Sequence, residues 1–86
     1  MKNSLKKFLY NYKGNEAMVN FYIASLFSSD NDEVTIKRRY TELINIIDII
    51  QSMDDSSTMP EGRRNYYITM CKSGMEILSR EMEEMI

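Results

Sequence analysis

Apolar positions recur at steps of three and four residues along most of this chain, the spacing that builds one face of a helix. No segment alternates apolar and polar residues strictly, as a half-buried strand would. The pattern is cleanest over residues 32–53. At about 100° per residue, Lys37, Arg38, Thr41, Asn45, Asp48 and Ser52 fall on one polar stripe. Opposite lie Ile36, Tyr40, Leu43, Ile46, Ile47, Ile49, Ile50 and Met53. An apolar arc covering half the circumference needs more than one neighbour, so this is the expected central helix.

A last helix is expected over 59–86, with Ile68, Cys71, Met75, Leu78, Met82 and Met85 on its seam and Tyr67 and Ile86 at the margins. Gly74 lies near that seam, where a missing side chain lets another element approach. The first segment carries Leu5, Phe8, Leu9 and Tyr12, then Val19, Tyr22, Ile23 and Leu26. "KGN" at 13–15 interrupts it, with Gly14 as C-cap and Asn15 as a new N-cap. The apolar phase hardly changes across the break, so the expectation is one helix kinked or split near Gly14, its halves nearly collinear.

Two further breaks carry capping signals. In "SSDNDE" at 28–33, Asp30 and Glu33 have capping-box spacing. In "DDSSTMPEG" at 54–62, Thr58 and Glu61 repeat it, with Pro60 in the first turn, where a missing N–H is harmless. The predicted fold is all-α: a small antiparallel three-helix bundle, one domain over residues 1–86. A chain of this length buries roughly 60–65% of its unfolded surface. Its core is therefore thin, and dimerisation would add buried area.

Charge changes the picture by its distribution. The net charge of −2 argues against strong non-specific binding to a phosphate polymer. Residues 1–13 carry Lys2, Lys6, Lys7 and Lys13 and no acid, whereas 76–86 carry Glu76, Glu81, Glu83 and Glu84 against Arg80. Antiparallel packing of the last two helices would set Lys37–Arg39 beside Glu76, and Arg63 and Arg64 beside Asp54 and Asp55. Arg63 and Arg64 in a first turn and "EMEE" in a last turn both oppose their helix dipole, a conflict that antiparallel packing relieves.

The chemistry-bearing residues are few. The chain has no histidine, so general acid–base work falls to a carboxylate, and nucleophilic work to Cys71. Asp48 lies on the polar stripe and Cys71 on an apolar seam, so both read as structural and no enzyme is expected. "DNDE" at 30–33 lacks the spacing, the glycine and the distal glutamate of a calcium loop. No metal or other cofactor is expected. With one cysteine no intrachain disulfide can form, which fits a cytoplasmic protein. The longest nearly apolar run, "LINIIDII" at 43–50, is too short for a bilayer, and the N-terminus lacks the apolar run of a signal peptide.

What remains is surface. Tyr66, Met70 and Ile77 form a second stripe on the last helix away from its seam, and Tyr10 and Phe21 point off the face of the first segment. Tyr, Met and Arg are enriched at interfaces. The primary expectation is a small non-enzymatic protein that binds another protein as inhibitor, adaptor or regulator. Tyr66, Met70 and Ile77 would be its anchors, with Arg63 and Arg64 steering an acidic surface. The competing expectation is a small DNA-binding regulator that contacts phosphate through Lys6, Lys7, Arg38, Arg39 and Arg64. The wealth of Asn, Ile, Lys, Met and Ser resembles short reading frames of AT-rich bacteria and their phages. On that ground the expected partner lies in host replication, transcription or defence machinery, a CRISPR effector included.

Overall fold

The computed structural model describes residues 2–27, 32–53 and 59–85. Four α-helices follow one another among them: α1 (Lys2–Tyr10), α2 (Glu16–Ser25), α3 (Glu33–Gln51) and α4 (Glu61–Glu84). A single 3-10 turn over Tyr12–Gly14 separates α1 from α2, and no strand occurs among the described residues. The molecule measures 44 × 23 × 21 Å. Its long dimension accommodates α4, whose 24 residues span about 36 Å at 1.5 Å per residue.

The antiparallel pair α3–α4 is the most extensive packing in the molecule, with α1 laid against α3 and α2 against α4. The arc read from the sequence of α3 is the buried one. Ile36, Leu43, Ile46, Ile49, Ile50 and Met53 are buried, while Lys37, Arg38, Thr41 and Asp48 are exposed. Each fully buried aliphatic of this kind contributes about 1.5–3 kcal/mol.

The first segment is split, but its halves are not collinear. Phe8 of α1 and Tyr22 of α2 meet edge to face with ring centroids 5.5 Å apart. In one straight helix the 14 residues between them would hold them about 21 Å apart. The corner is tied by Asn15, whose Nδ2 donates to the Asn11 carbonyl (3.1 Å) and whose backbone N–H donates to the Tyr12 carbonyl (2.8 Å). Buried Tyr12 pins it to α4, edge-on against Tyr67 at 5.8 Å. Gly14 ends the 3-10 turn without entering the left-handed region expected of a glycine cap. A preserved apolar phase marks which residues face inward; it does not require the backbone to run straight.

The caps also differ from expectation. Asp32 is the N-cap of α3, its Oδ1 accepting from the Thr35 backbone N–H at 2.7 Å, two residues later than the Asp30 cap read from the sequence. That hydrogen bond holds the Asp32 carboxyl below its ordinary value of 3.8. Pro60 stands one residue ahead of α4 as its N-cap, its carbonyl accepting from the Arg64 N–H at 2.9 Å. Asp30, Thr58, Ile86 and the expected arginine partners Asp54 and Asp55 lie outside the described residues.

On α4 the buried seam is Tyr67, Cys71, Gly74 and Leu78. Tyr67, placed at the margin by sequence, is fully buried at its centre, and Met85, placed on the seam, is exposed where the helix ends. Gly74 admits the ring of Phe27, the second residue beyond α2. A Cβ at Gly74 would stand 2.4 Å from Phe27 Cδ1, closer than any real contact.

Candidate functional site

Tyr66 and Tyr67 show how α4 sorts its side chains. Successive residues are turned about 100° apart, so one aromatic goes inward and the other outward. Tyr67 is sealed in the core, and its hydroxyl has no hydrogen-bond partner among the described residues. Burial, helped by the neighbouring Tyr12 phenol, pushes its pKa up. Tyr66 remains 49% exposed, with the Arg63 guanidinium 5.5 Å from its ring centre, within cation–π range.

From Arg63 the same face continues through Tyr66, Met70, Ser73 and Ile77 at alternating steps of three and four. Ile77 is 39% exposed and Met70 is half-buried against the core. Three anchors and one arginine named from sequence therefore share one strip. On α2, Phe21 is exposed as the sequence suggested, and so is Met18, which sequence reasoning did not single out. A signal for Met18 existed: residues 17–29 contain no charge, and Met18 and Phe21 are three apart. α2 is apolar nearly all round, so burying Val19 and Ile23 leaves apolar residues outside.

Arg64 leaves this strip. Its Nε donates to the Met59 carbonyl (3.1 Å) and its Nη1 to the Met53 carbonyl (3.2 Å), so the guanidinium holds the two ends of the α3–α4 connection together. The other basic residues do not gather around it. Lys6 and Lys7 are exposed on α1, with Lys6 5.7 Å from the Tyr10 ring centre, Arg38 is exposed and Arg39 half-buried near the start of α3. Arg38 and Met53, beside which Arg64 sits, are about 22 Å apart along the helix axis.

Lys37 and Glu76, expected beside each other across α3 and α4, each pair within their own helix instead. Lys37 meets Glu33 at 3.6 Å, and Arg80 meets Glu76, each four residues apart and exposed. Lys37 instead borders a groove of about 420 Å³ between the start of α3 and the end of α4, floored by Ile36, Tyr40, Leu78 and Met82. A smaller hollow of about 270 Å³ lies by Leu5 and Phe8, where the Tyr22 hydroxyl donates to Glu42. Desolvation and that carboxylate both raise the Tyr22 pKa.

The residues with chemical potential are otherwise quiet. Cys71 is fully buried, and desolvation pushes its thiol up to about 12, so it behaves as a small apolar residue. Asp48 is exposed on the polar stripe. Among the described residues no polar or charged residue is buried, no group of three His, Cys, Asp or Glu could hold a metal ion, and no helix is long and apolar enough to cross a membrane. In comparisons with protein-family models, curated proteins and solved structures, nothing matches this chain.

Proposed function

We propose that this protein acts without catalysis, by binding another protein through the outer face of α4. The observation that carries the reading is the apolar strip that remains after the core is complete. Tyr66 and Ile77 are 49% and 39% exposed while their neighbours Tyr67 and Leu78 are fully buried. Scattered exposed apolar residues are normal, but an ordered strip bordered by a stacked arginine has the make-up of an interface core. Tyr66, Met70 and Ile77 serve as anchors. Arg63 faces acidic groups on the partner, and Arg64 supports the surface from behind by fixing the connection into α4. An inhibitor, adaptor or regulator needs nothing more than such a face. The phage-like composition points to replication, transcription or defence machinery as the setting.

Binding to DNA has weaker support, because its five candidate residues are spread over three helices and Arg64 is engaged with backbone carbonyls. The two readings respond differently to salt. A phosphate-led complex weakens steeply as salt rises, whereas an apolar strip holds its partner. The test is affinity purification from the native host with wild type and a Tyr66→Ala, Met70→Ala double variant. The expected result is a captured protein that the folded variant loses. Equal capture by both would remove the strip from the account.

A further inference from the structure

We infer that in the free protein this strip is covered by a second copy of the same chain, laid antiparallel across a two-fold axis close to Ser73, which the other protein must displace. The inference rests on the outer face of α4 being a docking surface and names what covers it before the partner binds.

The strip is polarised along its length. It begins with Arg63, runs through Tyr66, Met70, Ser73 and Ile77, and ends with Glu81 and Glu84, all within a third of the helix circumference. Measured from Ser73 at 1.5 Å per residue, Arg63 lies about 15 Å toward one end, and Glu81 and Glu84 lie about 12 and 17 Å toward the other. A copy turned end for end about Ser73 therefore sets its Glu81 and Glu84 opposite Arg63, and does so twice, once on each side of the axis. Tyr66 then lies across from the partner's Glu81 and Met70 across from the partner's Ile77, while the two Ser73 side chains meet at the axis, small enough to let the helices approach. A parallel copy would bring like charges together. The arrangement also sets each arginine, poorly placed at the positive end of its own helix, near the negative end of the other.

On the strip Tyr66 and Ile77 are 49% and 39% exposed, and an isologous pair covers the same patch on both copies.

Sedimentation of the full chain over a concentration series reads the assembly directly, with circular dichroism confirming helix content for every variant. The expected result is a dimer in which Arg63→Glu alone, and Glu81→Arg with Glu84→Arg, each weaken association at least tenfold. The triple swap recovers most of it, since opposite charges then face each other across the axis again with their signs exchanged. Ser73→Cys forms a disulfide-linked dimer on mild oxidation, and Lys72→Cys, one residue around the helix, does not. A chain that stays monomeric to millimolar concentration and fails to cross-link through Ser73→Cys overturns the inference, as does a triple swap that remains as weak as its parents. Neither result touches the broader reading, which falls only if the Tyr66→Ala, Met70→Ala variant still captures its partner from the host.

Discussion

The two faces of α4 use the same kinds of residue for different ends. Tyr67, Cys71, Gly74 and Leu78 look inward and are buried; Tyr66, Met70 and Ile77 look outward or sideways, and two of the three are exposed. Chemistry does not separate the sets, since each contains a tyrosine, a sulfur residue and an aliphatic. Position around the helix does. The inner face makes one molecule, and what is left on the outer face is available to join two.

That contrast can be broken most forcefully from inside. Leu78→Ala removes a fully buried side chain and should cost about 2–5 kcal/mol, read by urea unfolding. A loss below about 1 kcal/mol would mean that the inner face is looser than its burial implies. The glycines sharpen the same comparison. At Gly74 a methyl group meets the Phe27 ring, so Gly74→Ala should destabilise by about 1–3 kcal/mol although alanine is the better helix former. At Gly62 nothing lies within 4 Å, and Gly62→Ala should stabilise by roughly 0.5–1 kcal/mol. Matching signs at the two sites would contradict the packing of Phe27 on α4.

Chemical labelling tests the seal on the inner face. With its pKa pushed up to about 12, Cys71 should resist alkylation at pH 8 in the folded protein and react only as fast as the chain opens. Prompt labelling would place the thiol nearer the surface. The smallest expected effect is electrostatic. The Asp32 carboxyl titrates below its ordinary 3.8 when folded, so its cap stabilises α3 above that value and is lost as pH falls through the depressed folded value. Asp32→Ala should therefore lower the melting temperature slightly at neutral pH and leave it unchanged in strong acid.

The sequence was most informative where periodicity alone decides, as in α3, whose polar and apolar stripes are its exposed and buried ones. It misled where geometry depends on distant contacts. The corner between α1 and α2 is held by Tyr12 against Tyr67 and by Phe8 against Tyr22, contacts across 55 and 14 residues that no local pattern encodes. Lys37 and Glu76 do not meet for a related reason: each has a partner one turn away in its own helix. Of the candidate site, the strip and Arg63 were legible because they lie on one helix. The inward turn of Arg64 was not, because its acceptors are carbonyls that exist as a pair only once α3 and α4 have met.

The central claim is that α4 holds the monomer with one face and leaves the other for a partner. Urea unfolding of a Tyr66→Ser, Ile77→Ser double variant, in solution too dilute for association, tests it most directly. The account predicts a stability within about 1 kcal/mol of wild type for the pair, the range of ordinary surface substitutions. A loss matching that of Leu78→Ala would show that the outer strip is part of the monomer's own core.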